Sequence, residues 1–256
     1  MKPRNLVGPL GPYLVSLGLW AALVGSARLV VGPALAPGPL AILLELGRLA
    51  SSGELFLELG RTVVRALSGV FLAALIGSAL GLLAGRASRT LKFTAPLVAS
   101  LQSCPPVVWI SLAMVWAGTG SAVPVATVFA ATLPFVFSNT AQGVLGLDPR
   151  LAAVSRLYEV PRLRIFTKLT VPGLAPYWLA GLSTVLATGW KAAAVAEFMG
   201  SHDGVGARLY WSYNYLRMEQ LHAWALALII LGLTLEALVI TPLRRRAAAL
   251  SVRGTL

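Results

Sequence analysis

The chain has 256 residues, 57% of them hydrophobic and only 12% charged, whereas a soluble domain carries about 25% charged residues. That composition excludes a soluble enzyme, a disordered chain and a fibrous repeat, and leaves an integral membrane protein. The net charge of +12, from 21 Lys and Arg against 9 Asp and Glu, would suggest a nucleic-acid partner in a soluble protein; here the basic residues sit between apolar runs, so no nucleic acid is expected and the charge reads as orientation.

A membrane-spanning helix needs about 20 mostly apolar residues. The first expected span is 10–31, preceded by Lys2 and Arg4, with no small-residue cleavage site. Residues 33–61 are too polar to cross; their apolar stretch 40–49 carries Glu45 and Arg48 and is expected to lie along the interface as a short helix. The second span is 66–85, closed by Arg86, Arg89 and Lys92. Gly77, Gly81 and Gly85 share one of its faces and let another backbone approach, within one subunit rather than across a dimer. No charge occurs from Phe93 to Leu147, enough for two crossings, 93–116 and 123–142, divided at Ala117-Gly118-Thr119-Gly120-Ser121. Cys104-Pro105-Pro106 inside the third span forces a kink or a break. The fifth and sixth spans are 173–196 and 223–243, the last closed by Arg244-Arg245-Arg246.

Six spans put both termini on one side. With them in the cytoplasm, fourteen basic residues fall inside and Arg28, Arg48, Arg61, Arg65, Arg208 and Arg217 outside, which sets the orientation as N-in and C-in. The fold class expected is thus an all-α integral membrane protein of about six spans, one transmembrane domain over 1–256, in a plasma or inner membrane. Cys104 is the single cysteine, so there is no internal disulfide. With His202 and His222 distant in sequence from it, no metal constellation is expected.

Ionisable residues inside spans are costly and mark functional candidates. Lys191, after Trp190 in the fifth span, is read either as an electropositive contact for a crossing anion or as a lysine paired to another helix. Glu197 reads as a structural hydrogen-bonding group near the outer end, and Glu236 as a helix–helix contact. Gln102, Trp109, Asn139 and Gln142 suit interhelical hydrogen bonds or a pathway lining. The outer segment 203–219, with Tyr210, Trp211, Tyr213 and Tyr215, reads as an interfacial aromatic stretch.

The segment 148–172 is too polar to span. Leu151, Val154, Leu157 and Tyr158 recur at helical spacing, with Arg150, Arg156, Arg162 and Arg164 between them. This predicts a short amphipathic helix, a bend at Val160-Pro161 and a second helix ending near Pro172. Such an element rests on anionic lipid or docks a soluble partner. The chain has no G-x-x-x-x-G-K-[ST] phosphate loop, so ATP hydrolysis is not expected on it.

The run LAAVSRLYEVPRLRIFTKLTVPGLAP resembles the cytoplasmic E-A-A-x-x-x-G loop of binding-protein-dependent ABC-importer permeases, although the family glutamate falls on Ala153 and the family glycine on Glu159. Ser52-Gly53-Glu54-Leu55, Pro105-Pro106 with Ala117-Gly118-Thr119-Gly120, and Gly189-Trp190, Ala196-Glu197 and Gly204-Val205-Gly206 resemble segments of the sulfonate, taurine and nitrate branch, in order, over roughly residues 38–246. The resemblance implies a permease subunit that forms the solute pathway by alternating access, for a small anion such as a sulfonate or nitrate-like oxyanion. It implies two ATP-binding subunits carrying ATP and Mg, a second permease copy, and an extracytoplasmic substrate-binding protein. It places the coupling element at Ala153, Arg156, Leu157, Tyr158, Glu159, Val160 and Pro161. On the same reading the substrate pathway takes in Lys191, Trp190, Gln102, Trp109 and Asn139. A glutamate where the family has glycine is expected to lack its freedom to bend, leaving Pro161 to fix the turn. Two rivals from other classes are a membrane-embedded enzyme, which needs a nucleophile–base pair or paired carboxylates inside the spans, and a passive channel, which needs no docking helix.

Overall fold

The computed structural model describes residues 11–32 and 34–253, apart from some side chains that include Arg156. Every element among the described residues is a helix. In chain order these are α1 (Gly11–Val31), α2 (Pro39–Ser51), α3 (Glu54–Gly85), α4 (Ser88–Ser103), α5 (Pro106–Ala117), α6 (Ala122–Leu145), α7 (Pro149–Leu157), α8 (Arg162–Ile165), α9 (Val171–Gly200), α10 (Val205–Asn214), α11 (Met218–Leu235) and α12 (Thr241–Arg253). Lys2 and Arg4 lie outside the described residues.

Four helices are long and apolar enough to cross a membrane: Glu54–Gly85, Ala122–Leu145, Arg162–Gly200 and Met218–Leu250. The pair α4 and α5, bent by 90° at its break, makes a fifth if it is one broken span rather than a re-entrant loop. Six spans were expected; the structure supports four, or five with the bent pair, and α1 is helical where the first was placed. The expected break in the third span sits at Cys104-Pro105, where two successive prolines withdraw backbone donors.

The core is the packing of α3 on α6 and of α6 on α9. Gly69, Gly77, Gly81 and Gly85 of α3 face α6, and a Cβ on Gly81 would stand 2.7 Å from the Phe137 carbonyl oxygen. The glycine face read from the sequence therefore serves contact within one subunit. Ala66 and Val70 of α3, Val128 and Val136 of α6, and Val185 and Ala193 of α9 fill the centre of this three-helix layer.

Helix α2 occupies the expected interfacial stretch, and its inner face is wholly buried. Ile42 and Leu49 pack with Val205, Trp224 and Leu226, which fastens α2 to α10 and α11 while Leu40 and Leu44 point outward. Helix α3 begins twelve residues earlier than expected, because Glu54, Glu58, Arg61 and Arg65 are helical and paired rather than loop residues.

The second loop helix does not end near Pro172. It runs into α9 through a π-helical stretch, Phe166–Thr170, and a matching stretch, Glu236–Ile240, joins α11 to α12. Each lies just ahead of a proline, Pro172 and Pro242. A proline ring in a helix collides with the carbonyl four residues back, here Lys168 and Leu238; widening the turn to π geometry relieves that collision without ending the helix. The same join explains Glu236, whose Oε1 accepts from Arg244 Nη1 at 2.9 Å on its own helical rod rather than from a neighbouring helix.

Candidate functional site

The strongest polar cluster lies where α3, α6, α9 and α10 meet, at the end of the bundle away from the loop between α6 and α9. Glu58, Thr62 and Arg65 fall at i, i+4 and i+7 of α3 and so share one face. All three are buried, with Arg65 6% exposed and Glu58 at 0%. Glu197, also 0% exposed, approaches from the last turn of α9. The N-terminus of α10 points into this group, and its three leading amides are capped from other helices. Gly204 N donates to Glu58 Oε2 at 2.6 Å, Val205 N to Thr62 Oγ1 at 3.0 Å, and Gly206 N to Glu197 Oε2 at 3.2 Å. Carboxylates suit that position because a helix N-terminus carries unsatisfied donors and partial positive charge.

Arg65 closes the cluster. Its Nη1 donates to Glu197 Oε1 at 2.9 Å and to the Asp203 carbonyl at 2.8 Å. Its Nη2 donates to Ser121 Oγ at 2.7 Å and to Asp203 Oδ1. Thr62 Oγ1 donates to Glu197 Oε2 at 2.7 Å, and Arg61 and Arg208 pair with Glu58. The Arg65 guanidinium holds the Asp203 carboxyl below its ordinary range. Gly204 takes φ +95°, and a Cβ on Gly206 would stand 2.0 Å from the Ala194 carbonyl oxygen, so α10 reaches the carboxylates only with glycines at these places. Glu197 is thus a structural hydrogen-bonding group, as the sequence suggested. The sequence reading missed Thr62 and Arg65 as its partners and Glu58, Asp203 and Arg208 as the rest of the cluster.

The loop between α6 and α9 presents the second feature. Helix α7 ends in a left-handed cap: Glu159 takes φ +49°, and Val160 N donates to the Ser155 carbonyl at 2.9 Å. That six-to-one bond with a left-handed residue inside it is the closure usually formed with glycine. The expectation that Glu159 lacks the freedom to bend is therefore overturned; the bend is made at Glu159 itself, at a cost of about 1–2 kcal/mol. Leu157, Tyr158 and Leu163 around this turn are 80%, 75% and 74% exposed. Ala153, Glu159 and Pro161 are exposed and Val160 half-buried. The Arg156 side chain lies outside the described residues. Glu159→Gly is expected to slow amide hydrogen exchange at Val160 about fivefold, as relief of roughly 1 kcal/mol of strain requires; faster exchange would refute the strained-cap reading.

The five residues expected along a pathway are not gathered in one place. Lys191 lies on an open face of α9 with Thr184 and Thr188, and its Nζ stands 5.8 Å from the centroid of the Trp190 ring. The Trp190 ring fills the space beside Gly232 of α11. Asn139 Nδ2 donates to the Phe135 carbonyl at 2.8 Å and packs against Gly181 between α6 and α9. Trp109 is half-buried in α5, with no partner for Nε1 among the described residues. Gln102 is exposed on α4 and reaches Ser138 of α6 at 3.4 Å. No group of three or more His, Cys, Asp or Glu among the described residues is arranged to hold a metal.

Long apolar rods, tied at one end by a buried ion cluster and carrying at the other a basic loop with bare apolar side chains, make an all-helical membrane protein. Residues 77–243 match the family described as binding-protein-dependent transport system inner membrane component, and the chain belongs to that family, the permeases of ABC importers. It is 28% identical over 225 residues to SsuC of Bacillus subtilis, a permease protein named provisionally for aliphatic sulfonates transport, covering 88% of this chain and 81% of that one. Identity to the nitrate import permease protein NrtB of Leptolyngbya laminosa is 26% over 185 residues, or 72% of this chain and 66% of that one. Identity to the bicarbonate transport system permease protein CmpB of Synechococcus elongatus is 24% over 250 residues, or 93% and 88%. In fold it is similar to a chain from an inward-facing structure of the MetNI methionine ABC transporter, with TM-score 0.62 and 17% identity over 77% of this chain and 96% of that one.

Proposed function

We propose that this chain lines the solute pathway of an ATP-driven importer, in two copies, with an ATP-hydrolysing subunit docked on each loop between α6 and α9 and a substrate-binding protein at the outer end. The observation that carries this is the exposed apolar surface of Leu157, Tyr158 and Leu163. It sits on a loop rich in arginine, between two spans, where water leaves it unfavourable until a partner covers it. Because Arg162–Gly200 is one continuous rod of 39 residues, a push on the loop is transmitted to α9 rather than absorbed by a hinge. Closure of the ATPase subunits then tilts the spans and switches the pathway between the two sides. ATP and Mg belong to those subunits, and this chain needs no cofactor. Both termini lie in the cytoplasm on the charge bias.

The transported solute on this reading is a small oxyanion. The named solutes of the three relatives, aliphatic sulfonates, nitrate and bicarbonate, are all of that kind, and Lys191 supplies a positive charge inside a span. Trp190 stands beside it, with its ring centroid 5.8 Å from the ammonium, and Gln102, Trp109 and Asn139 are assigned to other stretches of the same pathway.

The test is co-expression with candidate ATPase subunits. Wild-type chain is expected to co-elute with them and to support ATP-dependent uptake in vesicles, whereas Leu157→Asp/Tyr158→Ala is expected to lose both and remain monodisperse. Absence of association by the wild type, or unchanged ATPase coupling in the variant, would sink the docking assignment.

A further inference from the structure

We propose that the groove between α4 and α6 is a second, uncharged binding site for a small oxyanion, on the inner half of the pathway; this rests on the reading of the chain as an oxyanion permease. Helix α4 touches α6 through Val98 and Phe137, and beside that contact it stands away, leaving a groove of about 230 Å³. Gln102 projects into it from α4, and Ser138 and Gln142 from α6. Ser138 and Gln142 are one helical turn apart and therefore face the same way.

The polar groups of this groove are under-used. The Gln102 amide meets Ser138 Oγ only at 3.4 Å, and as donor to it. The Ser138 hydroxyl hydrogen and the Gln142 side-chain amide have no partner among the described residues. Both carboxamides are exposed to the groove, Gln142 unpaired among the described residues and Gln102 held only at 3.4 Å, so with the hydroxyl they offer a polar occupant donors that no other group among the described residues takes up. Amide N–H and hydroxyl groups are donors, and an oxyanion offers acceptors in several directions.

Charge around the groove selects an anion over a cation. No acidic residue lines it. Leu91 at its inner end is flanked on α4 by Arg89 and Lys92, both exposed. The acid nearest in sequence to its other wall, Asp148, is turned to the Arg150 amide, which donates to Oδ1 at 2.8 Å. The site is also placed apart from Lys191. Gln142 lies three residues from the end of α6 that leads into the cytoplasmic loop, whereas Lys191 lies nine residues from the outer end of α9. An anion passing inward thus leaves a charged contact for a neutral one. Neutral donors hold it weakly enough for release, which conduction through successive sites requires.

The experiment uses the full chain in membrane vesicles with Cys104→Ser, so that Ser138→Cys provides the single thiol. Its modification is followed with two reagents of similar size, the anionic 2-sulfonatoethyl and the cationic 2-trimethylammonioethyl methanethiosulfonates. With each rate divided by that reagent's rate on a free thiol in solution, the anionic reagent, itself an alkyl sulfonate, is expected to react about tenfold faster, the worth of one charge-assisted hydrogen bond, and excess nitrate is expected to slow it. Adding Gln102→Leu/Gln142→Leu is expected to bring the ratio to about one, which separates the groove's own donors from the general field of Arg89 and Lys92. A ratio of one or less in the parent, a ratio unchanged by the two leucines, or no modification by either reagent would overturn the site. Labelling needs neither ATP nor a partner. ATPase association and uptake, read on the same vesicles, report on the permease reading alone.

Discussion

Arg65→Leu is expected to destabilise the purified chain by about 3–5 kcal/mol, the usual result of stripping one partner from a buried ion pair, and to lower its apparent melting temperature by roughly 10 °C. The reason is what remains. Glu197 stays at 0% exposure with a full negative charge and only Thr62 and the Gly206 amide to hold it. Ser121 and the Asp203 carbonyl lose their donor at the same time. Leucine fills part of the volume, so the loss is electrostatic rather than a cavity effect. Adding Glu197→Gln should recover about half of it, since a neutral amide oxygen still accepts from Thr62 and Gly206 while the orphan charge is gone. The comparison is made by monodisperse recovery after heating in detergent. A single-variant loss below about 1 kcal/mol, or a double variant no more stable than Arg65→Leu, would show that Arg65 is not the keystone. The cluster fastens α3, α9 and α10 to one another and to Ser121 at the start of α6.

Apolar length made most of the rods legible in the sequence, because nothing but a membrane tolerates stretches such as 66–85 or 223–243. The outer third of α3 was illegible for a related reason. Glu54, Glu58, Arg61 and Arg65 look like loop residues until their partners are known, and those partners, Glu197, Asp203 and Arg208, lie 132 to 154 residues away. One local signal was available: charges at 54, 58, 61 and 65 keep helical spacing with alternating need for partners, and glycines at 204 and 206 mark a close approach. The π-helical joins were not legible, since a proline in the sequence signals a stop and only packing shows that the helix widened instead. At Glu159 the residue type argued against a left-handed turn, and tertiary placement of the loop overrode it. Among the site residues, Lys191 and Trp190 proved adjacent because they are neighbours in the chain. Gln102 found Ser138, a contact across helices that periodicity cannot foretell.

Lys191→Leu is expected to reduce kcat/KM for uptake of the transported oxyanion by about 10- to 100-fold, the equivalent of one hydrogen bond to a charged group at 1.5–3 kcal/mol, with Lys191→Arg keeping most of the activity. The side chain is exposed on the face of α9 that also carries Thr184 and Thr188, and both hydroxyls donate to their own helix, leaving the ammonium as the free donor of that face. It forms no salt bridge among the described residues; its one recorded contact is the Trp190 ring at 5.8 Å. An ammonium on a lipid-facing surface of a span is unfavourable by about 2.5–3.5 kcal/mol even on permissive scales. On the proposed function the face is turned to a water-filled pathway or to the second copy. These alternatives separate by measurement. Leucine is at home in a span, so a pathway lysine can be replaced with stability and ATPase association unchanged while uptake falls. A lysine that holds the two copies together would instead show lost assembly along with lost uptake. Normal uptake by Lys191→Leu, or dissociation of the complex, would remove Lys191 from the pathway. A fall confined to transport would leave its charge as the point where the anion first exchanges water for protein.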